Sequence, residues 1–131
     1  MIHIPKDISS KLTFLIGKPE HISSFPEPVF SELRIEFLSE LSKKLLSQKD
    51  IRKFPDVATF AFWCRGSNLK KIIRNSLSSH LRVGLGLVYH NSPSNVPVNF
   101  AFSLAFGIIS GNSSVVRLSS KESESSSFIL N

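Results

Sequence analysis

Two groups of polar residues in the second half of the chain could do chemistry together. Asn95 lies between a β-type run and an apolar helical run, where a side-chain amide is a suitable donor to a developing oxyanion. Further along, Arg117 and the residues Ser119, Ser120 and Lys121 offer cations and hydroxyls after a second β-type run. The pattern indicates an oxyanion donor beside a turn that binds phosphate or ribose.

The elements that must position these residues read as one strand–helix–strand unit. Residues 82–90 form a glycine-interrupted β run, and residues 114–118 form a second one. Between them, residues 98–110 are apolar almost all round, as in a helix buried on several sides. This order predicts a parallel sheet, and ligands bind at the carboxyl edge of such sheets.

The ends of the middle helix carry recognisable signals. Pro97 suits the first helical position, and Asn95 or Val96 lies near the predicted cap. At the other end, Gly111 and Asn112 form a helix stop. Asn95 therefore has two interpretations: an oxyanion donor, or a residue that only caps the helix.

Residues 28–81 predict a helical region. A first helix runs from Pro28 to near Gln48, and a second opens at Pro55 and is broken or kinked by Gly66. A third covers residues 68–78. The first helix is predicted to bury an apolar stripe at steps of three and four residues, namely Phe30, Leu33, Phe37, Leu41 and Leu45.

Cys64 is the chain's single cysteine, and it shares the apolar face of the second helix with Val57, Phe60 and Ala61. A nucleophilic thiol needs a base and an electropositive, partly exposed setting. We therefore expect a buried structural cysteine. No metal site is predicted, because none of the four histidines pairs with another metal-binding residue at ligand spacing.

The composition limits the class of protein. The chain has 131 residues, 41% of them hydrophobic, and a formal charge of +6. The sequence contains no run of apolar residues long enough to span a membrane, and we expect a cytoplasmic protein. A basic stripe between residues 43 and 82 leaves open a second hypothesis, a small basic helical module for nucleic acid or a phosphate ligand. Its members are Lys43, Lys44, Lys49, Arg52, Lys53, Arg65, Lys70, Lys71, Arg74 and Arg82.

Several segments resemble a known family. Pro-Ser-Asn-Val-Pro at residues 93–97, the Gly-Asn pair, and Val-Val-Arg followed by a serine turn are similar to the aldehyde dehydrogenase superfamily. Residues 54–65 and 82–121 resemble more closely the acyl-CoA reductase family that includes the fatty acid reductase of bacterial luminescence. Two long motifs in the right order make the resemblance specific.

The resemblance implies a reaction and its ligands. Family members reduce a fatty acyl thioester, from acyl-CoA or an acyl-protein, to the aldehyde with NADPH, after a cysteine takes the acyl group. The resemblance also leads us to expect a homo- or hetero-oligomer in the full-length enzyme. No nucleic acid and no membrane span are expected. NADPH is accordingly the predicted cofactor, and a fatty acyl thioester the predicted substrate.

The resemblance also assigns roles to individual residues. Asn95 matches the asparagine that stabilises the oxyanion, and Ser94 stands where the superfamily has tryptophan beside the nicotinamide. Arg117 matches a lysine that contacts the adenosine ribose. Ser120 replaces a glutamate common in NAD-preferring members, and together with Arg117 and Lys121 this favours a 2′-phosphate. Ser119 belongs to the same cofactor-binding turn.

The fold class implied is α/β, with an N-terminal helical region followed by the first βαβ unit of an aldehyde-dehydrogenase-like nucleotide-binding domain. Residues 1–27 are predicted to be an arm with one short strand at residues 12–16, and residues 82–131 to be the incomplete start of that domain. The family's nucleophilic cysteine lies downstream of the Asn95 segment, and Cys64 does not match it. We expect a fragment that is inactive alone.

Overall fold

A computed structural model describes residues 4–76, 80–121 and 123–131. Their helices and strands follow the order α1, α2, α3, α4, β1, α5, β2, α6, with two short 3₁₀ turns at Pro19–His21 and Lys49–Lys53. The bounds are α1 Lys6–Ser9, α2 Glu32–Ser47, α3 Pro55–Trp63, α4 Gly66–Asn75, β1 Leu87–Asn91, α5 Asn99–Ile109, β2 Ser113–Arg117 and α6 Glu124–Leu130.

The N-terminal arm differs from its prediction. Residues 12–16 form no strand, and the apolar side chains of Leu15 and Ile16 are exposed. A strand needs a partner for its backbone groups, and the arm gains one only further on, where Pro28 makes an isolated antiparallel bridge to Val83. The arm therefore joins the fold at residues 27–30 and not at the predicted strand.

Helix α2 forms as predicted, but it begins later and buries only part of the predicted stripe. Phe30 has a positive φ of 61°, which ends the irregular segment before the helix begins at Glu32. Leu33 and Phe37, two members of the predicted stripe, are 75% and 54% exposed. The fully buried side chains are Leu45, which was predicted, and Leu38 and Ser42, which were not, at steps of four and three residues.

The buried hydroxyl of Ser42 explains why a polar residue lies on that face. Ser42 Oγ donates a hydrogen bond of 2.6 Å to the carbonyl oxygen of Ala61 on α3. The bond joins the two helices and removes the penalty of burying an unpaired hydroxyl. A pattern of apolar residues alone therefore does not predict that Ser42 belongs to the contact face of α2.

Helix α3 begins at Pro55, as predicted, and its predicted apolar face is fully buried. The break before α4 falls at Cys64 and Arg65, and Gly66 is the first residue of α4. A Cβ at Gly66 would lie 2.8 Å from Ser39 Oγ, so glycine permits the close approach of α4 to α2. The predicted end of the third helix falls on residues 77–79, outside the described residues.

The second half of the chain is the predicted βαβ unit, but β1 begins at Leu87, so residues 82–86 of the predicted β run lie outside the strand. Strands β1 and β2 pair in parallel, in a register that runs from Leu87 opposite Ser113 to Asn91 opposite Arg117. Helix α5 crosses between them, and its buried residues Phe100, Ala101, Ala105 and Ile109 pack with α2 and α3 in one core. The architecture is mixed helical and parallel-stranded, as an α/β fold requires.

The ends of α5 test the boundary signals. The helix begins at Asn99, two residues after Pro97, with Val98 at the cap position and no side-chain capping bond. Neither Asn95 nor Val96 caps it, so that prediction is wrong. Gly111 stops the helix as predicted, with a φ of 79° that suits glycine.

Helix α6 was not predicted, because residues 119–127 read as a polar serine-rich segment. The hydroxyl of Ser123 caps the helix by accepting from the backbone N–H of Ser126. The apolar residues Phe128, Ile129 and Leu130 pack against the core. No helix in the described part of the chain is long and apolar enough to cross a lipid bilayer.

Candidate functional site

The carboxyl ends of both strands meet at one edge of the sheet. Asn91 and Arg117 are register partners there, and Arg117 Nη1 donates to Asn91 Oδ1 at 3.2 Å. The same topology carries the loop after β1 and the turn after β2 to this edge. The residues with candidate chemistry therefore converge although they are distant in sequence.

A cleft of about 250 Å³ opens beside this edge. The loop after β1 forms one side, the turn after β2 a second, and α6 a third. Its lining residues are Leu15, Ser92, Pro93, Ser94, Asn95, Pro97, Phe100, Leu118, Ser119, Lys121, Ser123, Ser126, Ser127 and Leu130. Four of the six predicted site residues thus share one cavity.

Asn95 and Ser94 lie on the exposed rim of the cleft. The Asn95 side chain makes no hydrogen bond to any residue that the structure describes, and it does not cap α5. Its amide is therefore available to a ligand. This geometry allows the donor interpretation of Asn95 and removes the capping alternative.

The turn after β2 contributes polar groups to the second side of the cleft. The backbone N–H of Lys121 donates to Ser119 Oγ at 3.1 Å, which fixes the turn. No carboxylate lines the cleft among the described residues, so Lys121 is the charged group that a ligand meets there. Arg117, tied to Asn91, and Ser120 lie outside the lining.

Ser92 adds an unsatisfied polar atom to the same cavity. Its Oγ is buried and has no hydrogen-bond partner in the described part of the chain. Buried hydroxyls are nearly always paired, so a partner is expected from a bound molecule or from water. Ser92 was not predicted as a site residue, although it directly follows β1.

Three more cleft residues were missed by sequence reasoning. Ser123, Ser126 and Ser127 come from α6, whose serine-rich composition concealed it. The available signal was the serine three residues before another serine, ahead of the apolar residues 128–130. With these hydroxyls the cleft is hydroxyl-rich on two sides.

Cys64 lies away from the cleft, in the core. Its side chain is fully buried, as predicted, and burial raises the pKa of its thiol to about 12. A thiol with such a pKa stays protonated at neutral pH and is a poor nucleophile. Cys64 is therefore a structural residue.

His90 sits inside the βαβ unit. Its Nδ1 lies 2.8 Å from Ser103 Oγ on α5, and its Nε2 lies 3.1 Å from Ser114 Oγ on β2. Burial lowers the pKa of the imidazole. The ring joins three elements, and its position beside Gly107 leaves no room for a Cβ there.

The basic stripe lies on the helical region, apart from the cleft. Lys43 and Lys53 pair with Glu40 and Asp50, which raises the pKa of both lysines. The guanidinium of Arg65 stacks 4.1 Å from the Phe62 ring centre. Polyanion binding by this stripe stays a prediction. Within the described ranges, no group of three or more potential metal ligands comes together.

A family model identifies the chain. The model described as acyl-CoA reductase (LuxC) matches residues 32–131. Neither curated proteins nor solved structures gave a match. The matched range includes α2 to α6, the parallel sheet and every cleft residue except Leu15. The chain belongs to the acyl-CoA reductase (LuxC) family.

Proposed function

We propose that this chain supplies the oxyanion donor and a nucleotide-binding edge of an NADPH-dependent acyl-CoA reductase that forms fatty aldehydes. One observation carries the proposal. The cleft at the carboxyl edge of the parallel strands collects Asn95 with Ser94, Ser119 and Lys121. Such an edge is where open α/β sheets bind nucleotides.

The residues of the cleft fit part of NADPH. Hydroxyls and one ammonium group suit phosphate and ribose oxygens. No carboxylate in the described lining would repel a 2′-phosphate. The cleft's volume of about 250 Å³ lies below the range of roughly 300–1,000 Å³ typical of drug-sized ligands, so it would hold a ribose-phosphate portion.

The chemistry divides between the cofactor and the chain. Bound NADPH supplies a hydride to the carbonyl carbon of the acyl thioester. The side-chain amide of Asn95 donates a hydrogen bond to the carbonyl oxygen as negative charge develops on it. Because this charge is greatest in the transition state, the amide increases the rate more than it increases substrate affinity.

The nucleophile that takes the acyl group is not Cys64. A buried thiol with a pKa raised to about 12 cannot attack a thioester at neutral pH. Because the chain has no other cysteine, we propose that the 131 residues alone do not turn over acyl thioesters. The partners proposed are a fatty acyl-CoA or acyl-protein thioester, and a homo- or hetero-oligomer of the enzyme.

The test of Asn95 uses an active acyl-CoA reductase of this family whose corresponding segment is replaced by residues 82–131. Asn95→Ala should slow acylation and hydride transfer by about 10²–10³ and leave NADPH affinity nearly unchanged. Stopped-flow absorbance of the nicotinamide measures hydride transfer, the release of free coenzyme A measures acylation, and NADPH fluorescence measures nucleotide affinity. Asn95→Asp, which keeps the size but lacks the N–H donor, should be at least as slow.

Two results would contradict the assignment. Normal turnover by Asn95→Ala, with a lower melting temperature, would mean that the residue acts on stability alone. Full activity of Asn95→Asp would mean that no N–H donor is required at this position.

A further inference from the structure

Helix α6 makes different contacts on two of its faces. Ser123 at its cap, Ser126, Ser127 and Leu130 line the cleft, at spacings of three, four and seven residues from the cap. Such spacings place side chains on one side of a helix. Ser125 and Phe128, three residues apart, face α3 instead.

Two contacts join that second face to the start of α3. Ser125 Oγ donates to Asp56 Oδ1 at 3.1 Å. The ring of Phe128 lies 4.7 Å from the ring of Phe54, centre to centre, at an angle of 40°. Both partners come from the helical region and neither Phe54 nor Asp56 lines the cleft.

A third contact ties the cleft face of α6 to the loop after β1. Ser126 Oγ donates to the carbonyl oxygen of Pro97 at 3.2 Å. Helix α6 therefore spans from α3 to the loop that carries Asn95. A helix of seven residues is too short to be stable without tertiary contacts. These contacts therefore determine the position of α6, which forms the third side of the cleft.

We propose that Phe54 and Asp56 are positioning residues of the nucleotide cleft. They hold α6, the third side of the cleft, in place by contacting the face of α6 that does not line the cleft. This inference rests on the proposed function, since it takes the cleft to be the nucleotide site. Losing the anchor would move the serine hydroxyls that a ligand's phosphate or ribose meets. The helical region would thereby set the nucleotide affinity of a site to which it contributes no lining residue.

The experiment compares four single variants of the 131-residue chain and the double variant Asp56→Ala/Ser125→Ala. Asp56→Ala removes the acceptor for Ser125, and Asp56→Asn keeps an acceptor oxygen while it removes the charge. Ser125→Ala removes the donor. Asp50→Ala is the matched control, because Asp50 pairs only with exposed Lys53 in the preceding 3₁₀ turn. NADPH fluorescence gives the dissociation constant, and hydrogen exchange of residues 124–130 reports the docking of α6.

Asp56→Ala and Ser125→Ala should each weaken NADPH binding about fivefold, the equivalent of one hydrogen bond. The double variant should be no weaker than either single variant, because both remove the same bond. Exchange of the α6 amides should rise while that of α2 amides stays constant. Asp56→Asn and Asp50→Ala should bind NADPH like the unaltered chain.

The outcomes separate the two proposals. If the unaltered chain binds no NADPH, the proposed function fails, and the exchange data alone then decide whether Asp56 anchors α6. If it binds NADPH and Asp56→Ala binds equally well despite faster exchange in α6, the positioning role is overturned. Equal weakening by Asp56→Asn would assign the effect to the charge at the α3 terminus and overturn it as well.

Discussion

Arg34 on α2 donates a hydrogen bond of 2.8 Å from Nη1 to the backbone carbonyl oxygen of Asn112, just before β2. The same nitrogen donates to the carbonyl of Ile108 at 3.0 Å, and the guanidinium pairs with Glu27 at 2.9 Å. One side chain thus adds a charged donor to the Ile108 carbonyl, which also accepts from the backbone N–H of Gly111, and to the Asn112 carbonyl beyond the end of α5, and it ties the arm to both. It connects the helical region to the βαβ unit that holds the cleft.

Arg34→Ala should therefore destabilise the chain by about 2–4 kcal/mol, because it leaves two partly buried carbonyls without their charged donor. Urea unfolding followed by circular dichroism measures the loss. The control is Arg52→Ala, an exposed cation, for which a change within about 0.5 kcal/mol is expected. Equal stability of the two variants would mean that the Arg34 network adds nothing.

Gly111 and Gly17 form a matched pair for testing the helix stop. Their φ angles are 79° and 78°, but a Cβ at Gly111 would lie 2.1 Å from the carbonyl oxygen of Glu27, whereas Gly17 has open space. Gly17→Ala should cost about 1 kcal/mol from backbone strain alone. Gly111→Ala should cost clearly more in the same urea assay. Equal costs would contradict the close approach of the arm.

Cys64 should react with iodoacetamide only when the chain unfolds. Its folded pKa is raised from 9.0 to about 12, so the unfolded chain loses the proton first as pH rises. The thiol's contribution to stability is complete below pH 9 and is lost towards pH 12. Mass spectrometry with and without urea measures the alkylation. Rapid alkylation of the folded chain at neutral pH would contradict the buried position.

His90 should make the chain less stable in mild acid. Its folded pKa is lowered from 6.5 by burial, so the unfolded chain binds a proton more readily. This contribution is present above pH 6.5 and is lost as pH falls through the folded pKa. Urea midpoints across that range should fall less for His90→Gln than for the unaltered chain. His21→Gln, at an exposed position, should keep the full dependence.

Local signals predicted the elements better than their contacts. Pro55, Gly111 and the apolar residues 98–110 have strong local meaning, and α3, α5 and the helix stop lie where they indicate. The buried face of α2 depends on what packs against it, and Ser42 bonded to Ala61 has no local signature. Residues 12–16 likewise have a strand-like composition, but they pair with no other strand in the described part of the chain.

The candidate site divides in the same way. A parallel βαβ unit brings the ends of its strands together whatever the side chains are, and so Asn95, Ser119 and Lys121 could be placed at one edge from sequence. The position of α6, the third side of the cleft, could not be predicted from sequence, because it depends on the contacts with Phe54 and Asp56. Contacts between segments far apart in the chain leave no periodic pattern in the sequence from which they could be predicted.

The most direct measurement is a fluorescence titration of the chain with NADPH and with NADH. We expect tighter binding of NADPH than of NADH, about tenfold weaker NADPH binding in Lys121→Ala, and little change in the NADH binding of that variant, since it loses a charge-assisted contact to the 2′-phosphate. Lys71→Ala, which removes an exposed cation of α4, should change neither affinity. Equal affinities for the two nucleotides in the unaltered chain, or equal losses in Lys71→Ala and Lys121→Ala, would contradict the assignment of the cleft to NADPH.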